Sequence, residues 1–364
     1  MSLQKLVQSI TVAGKRYEAD AILAGDVAFN ALSYGPQLLA FLQEWFSDFD
    51  TLLVSTSGST GVPKQIWVEK ERMMQSACMT CTYLGLRQGD SALLCMPLEF
   101  IGGKMVVVRA LVAGLDLHFV TPCARPLEHT ETDFAFSAMV PMQVYDSLQH
   151  EFECSRLMGI RHLIIGGGAI DDDMGKTLKT FPNAVYSTYG MTETLSHIAM
   201  RKLSGGDANE RYYPFDSVSL SLTQPDQTLV IDAPLVAKKT VYTNDVAQIH
   251  DDGSFRILGR KDNVINSGGI KIQAEEVERL LKPVIDGVFA VTSAPDPKYG
   301  EIVVLAVEQL IEKTAVSDVL SRYQVPKKII QLAQIPLTET GKISRSELKK
   351  QVLNQQELCI DSIF

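Results

Sequence analysis

The sequence predicts an α/β fold with a large N-terminal α/β domain and a small α+β C-terminal domain. Short apolar runs alternate with helical patterns over the first half of the chain, which is typical of a largely parallel sheet covered by helices. Beyond about residue 215 the apolar pattern becomes short and alternating, which indicates a small antiparallel sheet or barrel. The pattern changes again near Arg260, so we expect domains at residues 1–259 and 260–364.

Each element follows from its local pattern. Buried strands are predicted at residues 51–56, 91–96, 115–120, 134–140, 162–167 and 183–188. Helical periodicity covers residues 69–86, 101–113, 141–149 and 171–180. The antiparallel region comprises VSLSLT, QTLVID, DVAQIH and SFRIL. In the C-terminal domain, EEVERLLK, AVSDVLSRY and SRSELKKQVL are predicted helices, and VFAVTSA and IVVLAVEQL are predicted strands.

Composition limits the classes of function. The 364 residues are 46% apolar and 21% charged, which is ordinary for a soluble globular enzyme. A net charge of −9 makes a nucleic-acid-binding surface unexpected as the main function. No apolar run reaches the ~18 residues of a membrane span, and the N-terminus lacks the apolar core of a signal peptide, so we expect a cytoplasmic protein.

The six cysteines are scattered and do not form a disulfide framework. Cys78 and Cys81 form a CMTC motif, which could belong to a redox or zinc site. The motif lies in an amphipathic helical pattern with no second pair nearby, so we predict ordinary helix packing.

The segment STSGSTGVPKQI, residues 55–66, has the composition of a phosphate-binding loop. It is not a Walker A loop, because its lysine follows proline and a strand-like QIWV comes next. We therefore expect a strand–loop–strand context, with hydroxyls, flexible glycines and one cation for phosphate oxygens. An ordinary Gly/Ser turn is the alternative. The candidates are Ser55, Thr56, Ser57, Gly58, Ser59, Thr60, Gly61 and Lys64.

Two further candidate segments follow predicted strands. Glycines 166–168 come before a helix and would let a planar ligand approach the backbone, although a plain strand–helix turn fits equally well. In STYGMTET, Tyr189 offers an aromatic face, Thr192 a hydroxyl and Glu193 a carboxylate. A carboxylate beside bound phosphates usually recruits Mg²⁺, whereas the alternative is a turn with a helix cap.

Two single residues are ambiguous alone. Asp245 in YTNDVA stands where a carboxylate could accept from ribose hydroxyls, but turn aspartates are common. Lys342 follows a glycine in PLTETGKISR, and a lone exposed lysine is usually only solvated.

Taken together, six segments resemble the adenylate-forming superfamily in their order and approximate spacing. This superfamily contains the acyl-CoA synthetases, the luciferases and the adenylation domains of peptide synthetases. The segments are STSGSTGVPK, GGG, YGMTE, YTND, GRKDNVINSGGIKIQAEEVE and PLTETGKISR, and the resemblance covers roughly residues 50–350. It implies that ATP adenylates a carboxylate with release of pyrophosphate, and that CoA then forms the thioester. ATP, Mg²⁺ and CoA are the implied cofactors and substrates.

The resemblance also implies roles in nucleotide binding. The Ser55–Lys64 loop would hold the β- and γ-phosphates, and Thr192 with Glu193 would hold phosphate and Mg²⁺. Asp245 and Arg260 would bind the ribose. The implied wall around adenine consists of Gly166, Gly167, Gly168 and Tyr189. Gly190, which follows Tyr189, is a further implied ATP-binding residue.

The C-terminal domain is mobile in this family, and Asp262 matches the hinge about which it turns. Ser267, Gly268 and Gly269 match the segment beside the pantetheine channel. Lys342 matches the lysine that contacts the carboxylate and α-phosphate during adenylation.

The chain departs from the family pattern in three places. Asn244 replaces the usual glycine, and Ala274 replaces a frequent proline. Only 54 residues precede the phosphate loop, whereas typical members carry a considerably longer segment. We therefore expect part of the usual N-terminal subdomain to be absent, together with any pocket wall or dimer contact that it supplies. A homodimer is one of the oligomeric states compatible with the sequence.

Residues 94–114 and YGMTETLSHIA resemble short o-succinylbenzoate–CoA ligases of menaquinone biosynthesis, although their common histidine near Phe100 is absent. Lys104 and Arg109 are candidate cations for a dicarboxylate substrate, but they could also be solvated or salt-bridged. The alternatives are another acyl- or aryl-CoA synthetase, a nucleotide sensor without chemistry, and a stand-alone domain that loads a carrier protein. Retention of Glu193 and Lys342 argues against the sensor.

Overall fold

The predicted α/β fold class is confirmed by a computed structural model. It describes residues 8–55, 65–128, 130–168, 170, 172–309, 311, 316–337 and 343–355. The chain divides into two compact units. The first comprises Met1–Leu220, Ile231–Val241 and His250–Phe255, and the second comprises Ser221–Val230, Tyr242–Ile249 and Arg256–Phe364.

A nine-stranded sheet organises the first unit. Strands of this unit are β1 Ser9–Val12, β2 Lys15–Glu18, β3 Thr51–Ser55, β4 Gln65–Glu69, β5 Ser91–Leu94, β6 Asp116–Phe119, β7 Phe136–Met139, β8 His162–Ile165, β9 Ala184–Gly190, β10 His197–Lys202 and β11 Tyr213–Pro214. The sheet order is β11-β10-β9-β8-β7-β5-β6-β1-β2. Every neighbouring pair from β9 to β1 is parallel, and the outer pairs are antiparallel. All four residues of β7 are buried, as expected for a parallel strand covered on both faces.

Seven α-helices accompany these strands in the described part of the first unit. They are α1 Ala19–Ala24, α2 Gly35–Phe46, α3 Lys70–Leu84, α4 Ile101–Ala113, α5 Pro141–Leu148, α6 Glu151–Gly159 and α7 Asp172–Lys179. Helix α4 is the most deeply placed, with nine buried residues, because its sequence is apolar around almost its whole circumference. Gly85 and Gly114 end α3 and α4 in the left-handed conformation that glycine adopts without steric cost.

The strands around the predicted phosphate loop form a separate two-stranded sheet. Strands β3 and β4 pair antiparallel, from Thr51 opposite Glu69 to Ser55 opposite Gln65. The predicted strand–loop–strand context is therefore confirmed, although the sheet is not the parallel one. Residues 56–64 lie outside the described part of the chain.

The remaining strands form two sheets. A four-stranded sheet, ordered β12-β13-β14-β15, contains β12 Ser219–Leu222, β13 Thr228–Asp232, β14 Val241–Ile249 and β15 Phe255–Arg260. A five-stranded sheet contains β16 Val264–Ser267, β17 Ile270–Gln273, β18 Phe289–Asp296, β19 Gly300–Val307 and β20 Lys328–Gln331. Helices α8 Ala274–Leu281 and α9 Arg345–Gln355 also belong to the second unit. Buried residues of α8 and α9 belong to two separate hydrophobic clusters with residues of this sheet.

Some expectations need correction. AVSDVLSRY was expected to be one helix, but among its described residues only 316 and 317 are helical and turns follow. Helices α1, α2 and α6 and the β1–β2 hairpin were not predicted from the apolar pattern. Cys81 is buried in α3, in agreement with helix packing, and the described residues hold no cluster of metal-ligand side chains. No helix within the described ranges is long and apolar enough to cross a membrane.

A half-buried ion pair joins α8 to α9. Arg345 donates from Nη1 to Glu278 Oε1 at 2.7 Å and from Nη2 to Oε2 at 2.6 Å. The same guanidinium donates to Val291 O at 2.8 Å, and Val291 N donates back to Glu278. This bidentate pair fixes both helices against β18.

We predict that Glu278→Gln destabilises β18 and β19 by on the order of 3 kcal/mol, because it leaves a largely buried guanidinium without its counter-charge. Hydrogen exchange of residues 289–307 in the full chain measures this loss. Glu347→Gln is the matched control, since its pair with Lys350 is exposed and 3.4 Å long. Equal protection in both variants would contradict the prediction.

Candidate active site

The parallel pairing of β8 and β9 brings two of the predicted segments to one edge of the large sheet. Ile165 lies opposite Ser187, so the glycine segment 166–168 and the YGMTET segment leave the sheet side by side. Ligands of open α/β sheets bind at such carboxyl ends. The pairing therefore supports a shared site for these two segments.

The glycine segment runs close to its neighbours. Gly166 N donates to Met139 O at 3.1 Å, and a Cβ at this position would stand 2.5 Å from Thr188 Oγ1. Gly167 has φ +80°, a conformation that other residues rarely adopt. The backbone geometry therefore requires glycine at positions 166 and 167, independently of any ligand.

Tyr189 is half-buried at the end of β9. Its ring packs edge-on against Phe255, with centroids 5.2 Å apart, and lies tilted at 5.8 Å from Tyr212. Such contacts hold an aromatic ring in one orientation. The ring is therefore preorganised, as a wall against a planar ligand requires.

One helical turn, Thr192–Thr194, presents the predicted metal-binding carboxylate. Thr194 is buried, and its hydroxyl lies within hydrogen-bonding distance of Met191 N, Met191 O and Ser196 O. The turn then ends at Leu195, which has φ +65°. This buried network holds the turn while Glu193 itself is exposed.

Lys104 and Arg109 are both buried in α4, but they contact different elements. Lys104 Nζ donates to Leu53 O at 3.2 Å and lies 3.9 Å from Glu44 Oε2. Arg109 donates from Nη2 to Ser196 Oγ at 2.9 Å, next to the YGMTET segment. Their charges therefore do not converge on one point.

Arg109 is the more unusual of these two cations. Only 2% of it is exposed, and its Nε has no hydrogen-bond partner among the described residues. Burial lowers the pKa of Arg109 to about 10. Within the described ranges no carboxylate forms an ion pair with it.

Three predicted residues of the second unit form one cluster. Arg260 contacts Asp245 Oδ1 at 3.1 Å through Nη1 and Asp262 Oδ2 at 3.4 Å through Nη2. Asn244, which replaces the family's glycine, donates to the same oxygen of Asp262 at 3.3 Å. Thr243 Oγ1 accepts from Asp245 N at 3.0 Å, which orients the aspartate.

Ser267, Gly268 and Gly269 lie at a tight turn between β16 and β17. Ser267 pairs with Ile270, so the turn has two residues, and both glycines have positive φ, +58° and +84°. This is the hairpin geometry for which glycine is preferred. The two glycines are exposed, and Gly268 N donates to Tyr299 O at 2.8 Å.

Several predicted residues lie outside the described part of the chain. They are Thr56, Ser57, Gly58, Ser59, Thr60, Gly61, Lys64 and Lys342, and the side chain of Ser55 is likewise not described. The residues on both sides of 338–342 are paired, because Leu337 bridges Ile343 and Ser344 N donates to Pro336 O.

The sequence analysis did not single out Ser196, His197 or Thr80. His197 Nε2 lies 3.0 Å from Thr80 Oγ1, and its Nδ1 lies 3.3 Å from Ser196 Oγ. Burial, together with the charge of Arg109, lowers the pKa of His197 well below its ordinary value. The sequence signal was a polar pair, Ser196–His197, directly before the apolar residues IAM of β10.

A parallel sheet with these segments at one edge is the arrangement expected of adenylate-forming enzymes. The chain belongs to the AMP-binding enzyme family, whose model matches residues 41–230. It is therefore an AMP-forming acyl-CoA synthetase that uses ATP, as the motifs predicted.

Curated relatives carry a more specific name. A 2-succinylbenzoate–CoA ligase of Bacillus mycoides is 25% identical over 89% of this chain and 75% of its own length. One from Listeria monocytogenes is 25% identical over 85% of this chain and 72% of its own length.

Solved structures share the fold. An acyl-CoA synthetase-like protein of Dyadobacter fermentans is 30% identical, with a TM-score of 0.64 over 90% of this chain and 97% of its own. The o-succinylbenzoate CoA synthetase of Bacillus subtilis, solved with ATP and magnesium, is 21% identical, with a TM-score of 0.67 over 81% of this chain and 69% of its own.

We predict that Gly190→Ala weakens this site, because the new Cβ would stand 2.3 Å from Ser196 O and 2.4 Å from His197 Cα. Neither backbone atom can rotate away, so we expect a loss of about 2 kcal/mol in unfolding free energy and a higher KM for ATP. Gly175→Ala in α7 is the control: its Cβ meets nothing within 4 Å, and alanine favours a helix. Similar urea midpoints for both variants would refute this account.

Proposed function

We propose that the enzyme is an o-succinylbenzoate–CoA ligase. A carboxylate oxygen of the acid attacks the α-phosphorus of ATP, and pyrophosphate leaves. The CoA sulfur then attacks the acyl carbon, AMP leaves, and the thiol proton passes to solvent. The names of the curated relatives support this substrate, and the unpaired charge of Arg109 is the structural observation that carries it.

A buried guanidinium needs a negative partner. Burying an unpaired charge costs several kcal/mol, and Arg109 has only a hydroxyl and a ring face, that of Phe136 at 6.0 Å, as described contacts. A second carboxylate on the substrate would supply the counter-charge and an acceptor for Nε. Because Arg109 is only 2% exposed, a substrate carboxylate can reach its guanidinium only after a local opening of the protein.

Lys104 is the weaker candidate for that second carboxylate. Its ammonium already has the carbonyl of Leu53, the Glu44 carboxylate and the face of the Phe41 ring, 5.5 Å away. Burial lowers the pKa of Lys104, and Glu44 opposes that shift. We propose that it mainly stabilises the packing of α4 against α2.

The nucleotide would span the segments that follow β3, β8 and β9. We propose that Ser55–Lys64 holds the β- and γ-phosphates, that the glycine segment and Tyr189 contact adenine, and that Thr192 contacts phosphate. Asp245 would accept from the ribose hydroxyls, and its contact with Arg260 orients the carboxylate. These residues act by positioning, which is the main source of catalysis in phosphoryl chemistry.

Glu193 fits a magnesium site. It is an exposed carboxylate on a turn that Thr194 fixes, and oxygen ligands together with phosphate are what Mg²⁺ prefers. A magnesium ion bound there would offset the negative charge of the phosphates.

The C-terminal domain would serve both half-reactions. We propose a boundary at residue 260, a hinge at Asp262, Lys342 as the adenylation cation, and Ser267, Gly268 and Gly269 beside the CoA channel. Rotation of this domain would present Lys342 to the acyl group during adenylation and the CoA channel during thioester formation.

We predict that kcat/KM is higher for o-succinylbenzoate than for benzoate or octanoate. Arg109→Met should reduce the o-succinylbenzoate value about 10- to 100-fold and leave the benzoate value nearly unchanged, because only the second carboxylate loses a charged contact. Lys104→Met is the matched control on the same helix. Preference of the parent enzyme for benzoate or octanoate would show that the substrate is wrong.

We predict that Lys342→Ala lowers acid-dependent pyrophosphate exchange by at least ~10²-fold, since it removes one electrostatic contact to the adenylation transition state. Thioester formation from supplied acyl-adenylate and CoA should persist. Equal losses in the two half-reactions would be incompatible with separate faces of a turning domain.

A further inference from the structure

A chain of buried and half-buried hydrogen bonds runs from the charged group of α4 to the backbone of α3. Arg109 Nη2 contacts Ser196 Oγ at 2.9 Å, and Ser196 Oγ contacts His197 Nδ1 at 3.3 Å. His197 Nε2 contacts Thr80 Oγ1 at 3.0 Å, and Thr80 donates to Ser76 O at 3.2 Å. We call these four side chains, from Arg109 to Thr80, the α4–α3 chain.

Only one arrangement of hydrogens satisfies all four of these hydrogen bonds. A guanidinium can only donate, so Ser196 Oγ accepts from Arg109 and keeps its own hydrogen for another partner. Thr80 uses its single hydrogen on the Ser76 carbonyl, so toward His197 it accepts. His197 Nε2 must therefore carry the ring hydrogen, and Nδ1 then accepts from Ser196.

This arrangement holds only while His197 is neutral. A protonated ring would carry a hydrogen on Nδ1, so Ser196 would face two donors and its own hydrogen would lose its acceptor. It would also add a second positive charge beside Arg109 in a buried place. Cys81 on α3 is the other titratable group here, and burial raises its pKa to about 12, so it stays an uncharged thiol.

We propose that His197 is a positioning residue for substrate selection: with Ser196 and Thr80 it fixes the Arg109 guanidinium so that its Nε–H stays available for a substrate carboxylate. This inference rests on the proposed role of Arg109. The α4–α3 chain holds Nη2 of Arg109 in place, because rotation about the last bonds of the Arg109 side chain would break the hydrogen bond to Ser196. The orphaned Nε is then the donor that an acid with a second carboxylate would fill.

Substrate selectivity distinguishes a positioning role of His197 from a purely structural one. It is the ratio of kcat/KM for o-succinylbenzoate to kcat/KM for benzoate, which lacks the second carboxylate. We expect His197→Leu and Thr80→Val each to lower this ratio about 10-fold or more, through a higher KM for o-succinylbenzoate. His197→Gln should keep most of the selectivity, since its amide can donate to Thr80 and accept from Ser196. Thr80→Ser keeps the hydroxyl and should do the same.

A control variant tests for general damage. Ser147→Ala removes another buried hydroxyl, one that donates to Glu153 at 2.6 Å. It should lower the urea midpoint and leave the selectivity unchanged. If His197→Leu does not fold, the Thr80→Val and Thr80→Ser pair gives the same comparison.

The outcomes distinguish the two proposals. If Arg109→Met abolishes selectivity but His197→Leu and Thr80→Val do not, the positioning role is overturned and the proposed function stands. Equal loss with both acids would also overturn it, because it indicates a structural role only. If the parent enzyme shows no preference for o-succinylbenzoate, both proposals fail.

Discussion

Parallel pairing of β8 with β9 is the constraint on which the candidate site depends. It brings two segments that are more than twenty residues apart in the chain to one sheet edge, with Ile165 opposite Ser187. The antiparallel return of β10 then sets His197 opposite Gly190, and so brings Ser196 to Arg109. A change of register at β9 would displace Tyr189 and the Ser196–Arg109 contact together.

Electrostatics explains why the chain tolerates a buried cation. Its substrates, a carboxylic acid and ATP, are anions, so the barrier to adenylation includes charge repulsion and poor orientation. Arg109 is costly in the free protein, because burial lowers its pKa to about 10. Its contacts with Ser196 and Phe136 offset part of this cost, and a bound anion would offset the rest.

The sequence predicted the buried parallel strands, because their apolar runs are bounded by turn residues and separated by helices. It did not predict the helix of AVSDVLSRY correctly, since periodicity does not show where tertiary context ends a helix. It singled out Arg109 as a candidate but not its neighbours: Thr80 and His197 lie 117 positions apart, so no local pattern connects them. The motifs predict candidate site residues, whereas the hydrogen-bond partners of those residues depend on the assembled fold.

The bond between Arg109 and Ser196 also bears on how the chain acquires its structure during synthesis. The two residues are 87 positions apart, so α4 emerges from the ribosome long before its hydroxyl partner. Until β10 has been made, docking α4 would bury a guanidinium with no described acceptor, which is unfavourable. A nascent chain that ends before residue 196 lacks this acceptor, so we expect α4 to pack into the first unit only after Ser196 has been synthesised.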